Sequence, residues 1–139
     1  MTASEFSLPV RVYIEDTDAG GIVYYVNYLK FMERARTEFM RGLGFDREHI
    51  FDAAHMFVVR DITLRYLQPA RLDDALQITV QPRKVGAAVL EMAQVVKRGE
   101  QALAKASVEI VYVDRASMQP ARMSPALRDR LRETQLHSE

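Results

Sequence analysis

The chain has 139 residues, enough for one hydrophobic core and too few for two ordinary domains, so residues 1–139 read as a single domain. Apolar residues make up 48% and charged residues 27%, and nineteen basic side chains offset nineteen acidic ones, which excludes a disordered chain and leaves no bulk charge for nucleic acid or a membrane surface. Cysteine is absent, so a disulfide framework, a thiolate nucleophile and a thiolate metal site are excluded together, and a cytoplasmic location is expected.

Met1 to Pro9 carries no basic flank followed by an apolar run, and no window reaches the length of a membrane span, so neither secretion nor membrane insertion is expected. Val10, Val12 and Ile14 then alternate with Arg11, Tyr13 and Glu15, which predicts a strand with the first set turned inward. Gly20 and Gly21 break it. From Tyr25 to Arg41 the period changes: Tyr28, Phe31, Met32, Ala35, Phe39 and Leu43 recur at helical spacing, with Lys30, Glu33, Arg34, Glu38 and Arg41 between them. The pattern predicts an amphipathic helix of about five turns, roughly 25 Å long. Gly42 and Gly44 signal its stop, and residues 46–56 read as a linker.

Four further strands follow. Ile62, Leu64 and Tyr66 oppose Asp61, Thr63 and Arg65; Leu76, Ile78 and Val80 oppose Gln77, Thr79 and Gln81. Leu90, Met92 and Val96 oppose Glu91 and Lys97, with Val89 and Val95 making that strand apolar on both sides. Ala102, Ala104, Ala106, Val108, Ile110 and Tyr112 oppose Lys105, Ser107 and Glu109, and the small residues suggest that the long helix passes close to the sheet there. Ser124-Pro125 supplies an N-cap and first-turn proline for a C-terminal helix with Leu127 and Leu131 on one side. The sum is an α+β domain, an antiparallel sheet around one helix, whose open edges favour a homo-oligomer.

The chemistry concentrates between Tyr13 and Tyr28, where an acidic strand end runs through the double glycine into the long helix. A helix start leaves backbone N–H groups unpaired at the positive end of the macrodipole, ready for a developing oxyanion, and Asp18 stands just ahead of them. A carboxylate beside such a turn is a minimal hydrolytic site that needs no serine, cysteine or metal. An aspartate before a helix equally suits turn capping. Alternation puts Glu15 on the solvated side, and Asp16 reads as loop support. His49, His55 and His137 have no metal-cluster or nucleophile–histidine spacing, no Gly-x-Ser-x-Gly elbow exists, and Ser107 sits in strand context. Glu33 reads as a partner for neighbouring basic residues, within a run 33–38 of intrahelical pairing.

Glu15-Asp16-Thr17-Asp18-Ala19-Gly20-Gly21-Ile22-Val23-Tyr24-Tyr25, then Asn27-Tyr28 and Glu33-Arg34-Ala35-Arg36-Thr37-Glu38, strongly resembles the hotdog-fold acyl-CoA thioesterases, in particular the Tol-Pal-associated branch related to the 4-hydroxybenzoyl-CoA thioesterases. Weaker agreement continues through Tyr66-Leu67-Gln68-Pro69-Ala70, Tyr112-Val113-Asp114-Arg115 and Pro120 to Pro125, so the likeness spans essentially the whole chain. The resemblance implies a five-stranded antiparallel sheet wrapped around one long central helix, plus a C-terminal helix. It also implies a homo-oligomer, a dimer whose sheets join and commonly a dimer of dimers, with sites between subunits.

By the same resemblance Asp18 is the catalytic carboxylate and the backbone N–H of Tyr25 polarises the thioester carbonyl. The glycine pair, Gly21 included, allows close approach, and Tyr24, Asn27 and Tyr28 shape the substrate pocket. Many members of the Tol-Pal branch carry histidine where this chain has Tyr25; the 4-hydroxybenzoyl branch has tyrosine, and a backbone donor survives the change while an imidazole does not. The implied activity is hydrolysis of an acyl- or aroyl-CoA thioester to free acid and CoA, with no cofactor and no metal. Arg60, Arg65, Arg83, Lys84, Lys97 and Arg98 are candidates for the CoA phosphates. The alternative is a non-catalytic module that holds an acyl group or an acyl carrier protein, with Asp18 only capping the turn. Dehydratase chemistry calls for a histidine paired with a carboxylate, which the three histidines do not supply.

Overall fold

In the computed structural model, which describes residues 5–44 and 54–135, the alternation of Phe6, Leu8 and Val10 with Ser7, Pro9 and Arg11 forms β1 (Phe6–Arg11). There the chain leaves the sheet. Val12 stays buried, but Tyr13 N–H donates to the Asp16 carboxylate and Asp16 N–H to the Tyr13 carbonyl, winding Ile14–Asp16 into a 3-10 turn. Ile14, expected on the inner face, is therefore 75% exposed: a local carboxylate-to-backbone bond overrides the period-two pattern.

Helix α1 (Asn27–Gly42) starts two residues later than the spacing predicts and buries Tyr28, Phe31, Met32, Ala35 and Phe39 as expected. It ends at the signalled glycines, with Gly44 in the left-handed region at φ +90°. Strand β2 (His55–Tyr66) begins inside the stretch read as a linker; positions 46–53 of that linker, His49 among them, and His137 lie outside the described residues. β3 (Ala75–Val85), β4 (Val89–Arg98) and β5 (Gln101–Asp114) complete one antiparallel sheet in the order β1-β3-β4-β5-β2. Helix α2 (Pro125–Glu133) is capped by Ser124, whose side chain accepts the Leu127 N–H at 3.2 Å, and buries Leu127 and Leu131 against β3.

Register places Leu8 opposite Ile78, Ile78 opposite Val96, and Leu90 opposite Ile110, so one face of the sheet carries the core. Helix α1 packs on β3 and β1, with a smaller contact on β4. Its close approach is thus not over the alanines of β5. Ala104 has Tyr66 as its cross-strand partner, and the Tyr66 ring packs edge-on against Tyr28 at 5.3 Å. The bulk beside Ala104 is the Tyr66 ring, and α1 sets its own Tyr28 against that ring.

One polar group is deep in this core. Gln94 is fully buried; its amide donates to the Met32 carbonyl at 3.0 Å and its oxygen accepts from Arg36 at 2.9 Å. Burial pulls the Arg36 pKa below its ordinary value, and the charge of Glu33 opposes that shift. The 33–38 run holds no internal ion pair among the described residues, contrary to the expected pairing, because Arg36 turns inward to Gln94; the helix pair is Glu38 with Arg41. β1 and β2 are the free edges, and Val59 on β2 is 49% exposed.

Candidate active site

Thr17 bridges Val23, Asp18 N–H donates to the Ile22 carbonyl at 2.9 Å, and Gly21 N–H donates to the Asp18 carbonyl at 3.1 Å. These bonds close a tight hairpin between the 3-10 turn and α1. Gly21 sits at φ +79°, a conformation that costs a side-chain-bearing residue about 1–2 kcal/mol. Nothing lies within 4 Å of where its Cβ would stand, so backbone conformation and not space demands glycine.

The two aspartates of this segment differ in setting. Asp16 is buried, and its oxygens accept Tyr13 N–H and Asn27 Nδ2, each at 2.9 Å, while its carbonyl accepts Tyr24 N–H at 2.9 Å. It ties the 3-10 turn, the hairpin exit and the helix start together, which is the support read from sequence. Asp18 is exposed at the hairpin; its Oδ1 accepts Gly20 N–H at 2.8 Å and its Oδ2 has no partner among the described residues.

The helix start is irregular in a way that matters for chemistry. Asn27 N–H bonds the Tyr24 carbonyl at 2.8 Å and Leu29 N–H the Val26 carbonyl at 3.0 Å, a tightened 3-10 type opening. The Tyr25 carbonyl is thereby left without a backbone donor, and the Tyr66 hydroxyl donates to it at 2.9 Å. The Tyr25 N–H, one residue ahead of the helix N-cap Val26, has no acceptor among the described residues.

Tyr25 borders a cleft of about 280 Å³ walled by Ile22, Val23, Tyr28, Tyr66, Leu67, Gln68 and Pro69. Tyr25 and Tyr66, 59% and 46% exposed, meet edge-to-face at 6.4 Å, and the Tyr24 ring lies 4.9 Å from Tyr25. The neighbouring Tyr25 phenol raises the Tyr24 hydroxyl above its ordinary pKa; burial, then Tyr25 and Tyr28, raise that of Tyr66. Both are neutral donors near neutral pH. Tyr28 is buried in the cleft wall, its hydroxyl accepting the Ala70 N–H at 2.9 Å.

Of the residues predicted for the site, Asp18, Gly21, Tyr24, Tyr25 and Tyr28 gather on the hairpin and helix start. Of these only Tyr25 and Tyr28 line the cleft; Asp18, Gly21 and Tyr24 stand outside its lining, as does Asn27, whose amide is turned to Asp16. None of Tyr66, Leu67, Gln68 and Pro69 was legible as a cleft residue: Tyr66 reads as a strand residue and the other three as a stretch of resemblance; the available signal was two apolar side chains at the end of a strand, shortly before a proline.

The cations sort by partner. Arg60 pairs with Glu109, Lys84 with Glu91 at 3.9 Å and Lys97 with Glu5 at 3.8 Å. Arg98 donates to Asp74 at 2.7 Å and to Gln101 at 2.9 Å. Burial favours the neutral form of Asp74, but the Arg71 N–H and the Arg98 guanidinium outweigh it and hold its pKa below the ordinary carboxylate value. Arg65 and Arg83 have no acidic partner among the described residues, and Arg65 stands directly opposite Lys105.

His55 is the first residue of β2, stacked on Tyr112 at 5.0 Å, and not in a linker. Among the described residues no three His, Asp or Glu side chains cluster as a metal site, and no helix is long and apolar enough to cross a membrane. A second groove of about 240 Å³ runs between the middle of α1 and β2, bordered by Glu33, Arg36, Phe57 and Val59.

One long helix held against a five-stranded antiparallel sheet, entered through a glycine hairpin, is the hotdog architecture of the thioesterases. Residues 12–131 match the family model described as Thioesterase-like superfamily, and the chain belongs to that family. It is 41% identical over 121 residues to the acyl-CoA thioesterase YbgC of Haemophilus influenzae, covering 86% of this chain and 89% of that one. It is 42% identical over 121 residues to the acyl-CoA thioester hydrolase YbgC of Escherichia coli O6:H1, covering 86% and 90%. A probable thioesterase from Bartonella henselae superposes with a TM-score of 0.81 at 33% identity, over 87% of this chain and 100% of the other.

Proposed function

We propose that this protein hydrolyses an acyl- or aroyl-CoA thioester to the free acid and CoA, with Asp18 as the catalytic carboxylate and the Tyr25 backbone N–H as the oxyanion donor. The observation that carries the proposal is the presence, on one hairpin-to-helix connection, of a carboxylate with an unengaged oxygen and of an amide with no acceptor among the described residues, the residue of that amide lining a cleft. The names of the two YbgC relatives support the reaction class.

As the carbonyl carbon becomes tetrahedral, negative charge gathers on its oxygen, where a positioned amide stabilises it by about 3 kcal/mol. Asp18 supplies the other half of the reaction. It takes a proton from the attacking water, or it attacks the carbonyl itself to form a mixed anhydride that water then opens. By either route the C–S bond breaks with its electron pair on the CoA sulfur, and one water ends as the acid's hydroxyl and the thiol's proton. A thiolate leaves readily without a general acid, which accords with tyrosine at position 25.

Gly21 lets the backbone approach the thioester, Tyr24 and Tyr28 contact the acyl end, and Asn27 acts through Asp16. Arg65, set beside Lys105 with no acid to neutralise it, is the cation we assign to the CoA phosphates. The free β2 edge joins two copies into a dimer, and two dimers form a homotetramer in the cytoplasm. The reacting bond is chemically the same on an acyl carrier protein, which makes that carrier a second substrate to assay.

The test is a panel of acyl- and aroyl-CoAs, and one acyl carrier protein thioester, with thiol release measured for the wild type beside Asp18→Asn. Loss of nearly all hydrolysis in a folded, normally assembled variant is expected; retained turnover rejects the assignment of Asp18.

A further inference from the structure

We propose that the Tyr66 hydroxyl is a positioning group for the oxyanion-binding amide, an inference that rests on the thioesterase reading above. The argument starts from the carbonyls of the connection. Tyr24 O accepts Asn27 N–H and Val26 O accepts Leu29 N–H, so the helix opens one residue too tightly to use the Tyr25 carbonyl. An acceptor left without a donor lets its residue turn, and Tyr25 is 59% exposed with little packing to prevent that. The last residue of β2 supplies what the helix does not: Tyr66 OH donates to Tyr25 O at 2.9 Å.

That bond acts on the donor in two ways. It holds Tyr25 from its carbonyl side, while on the other side Tyr24 O, the carbonyl in the same peptide as the Tyr25 N–H, accepts Asn27 N–H at 2.8 Å, so the amide is fixed through both flanking carbonyls. It also polarises the next peptide, whose Val26 N–H has no acceptor among the described residues either. An oxyanion donor is effective because it is oriented before charge develops, and Tyr66 is the side chain that orients this one. The Tyr66 ring is fixed in turn, edge-on to Tyr28 at 5.3 Å and to Tyr25 at 6.4 Å.

The discriminating variant is Tyr66→Phe, which keeps the ring and its edge contacts and removes one hydroxyl. A donor misaligned costs less than a donor deleted, so kcat is expected to fall about tenfold, against the 10²–10³ of a lost donor, with KM within about twofold of wild type. In the folded variant the Tyr25 carbonyl carbon resonance, read through the Val26 amide, is expected to move upfield as its hydrogen bond is lost. Unchanged kcat overturns the proposal, and so does a raised KM at unchanged kcat, which marks a hydroxyl that binds ground-state substrate. An unmoved Tyr25 carbonyl resonance overturns it as well, whatever the kinetics. A wild type that releases no CoA from any thioester rejects the thioesterase reading and the positioning role with it; an active wild type with an equally active Tyr66→Phe rejects the positioning role alone.

Discussion

Asp16 and Asp18 stand two residues apart, and substitution of each is predicted to give opposite signatures. Asp16→Ala removes the acceptor for Tyr13 N–H and for Asn27 Nδ2, both at 2.9 Å, the first partly and the second fully shielded from water. A hydrogen bond to a charged group contributes about 1.5–3 kcal/mol; taking the lower figure for each, because burial of the carboxylate is relieved at the same time, the loss is about 3 kcal/mol. For a chain of this size that lowers the thermal midpoint by roughly 10 °C. Asp18→Asn keeps an oxygen for the Gly20 N–H and sits at an exposed turn, so stability should change by no more than about 0.5 kcal/mol. Thiol release by that variant should nevertheless fall by about 10²–10⁴-fold, the usual cost of a lost general base. Thermal melts at a single protein concentration, run beside the thiol assay, read both quantities. If Asp18→Asn is destabilised as much as Asp16→Ala and still turns over, Asp18 is a cap and the chemical assignment is wrong.

Three further outcomes follow from the same geometry. Gly21→Ala and Gly44→Ala each force a side-chain-bearing residue to positive φ and should each lose about 1–2 kcal/mol in urea unfolding, but only Gly21→Ala should also lower kcat/KM. Asp74 has a folded pKa below its unfolded one, so its contribution to stability is present above the ordinary carboxylate range and is lost as pH falls through that range; the stability gap between wild type and Asp74→Asn, read from denaturant melts, should close from about pH 5 downward. Arg65→Ala should raise KM for acyl-CoA several-fold and leave kcat within about twofold, as expected for removal of uniform binding. Unchanged KM in that variant would remove Arg65 from the CoA phosphates.

How legible the fold was depends on the range over which each signal acts. Strands β3 to β5, helix α1 and the Ser124 cap follow from periodicity and local capping, which need no distant partner. Ile14 misled because its neighbours were arranged by the Asp16 side chain, a bond the alternation of apolar residues does not record. The alanines of β5 misled in part because smallness says that something large is near and not which residue it is; the cross-strand neighbour of Ala104 is Tyr66, about forty positions earlier, and the helix comes in behind it through Tyr28. Within the site, Asp18 and the free Tyr25 amide were visible because both belong to one continuous stretch. Tyr66 joins them only through sheet pairing and a hydrogen bond across 41 positions, which a single sequence does not encode locally.

Tyr66 closes the outermost strand of the sheet within the chain, and the same residue anchors the turn that opens α1. One phenol thus ties the end of an outermost strand to the turn ahead of the long helix, two pieces of chain that sheet pairing alone leaves unconnected.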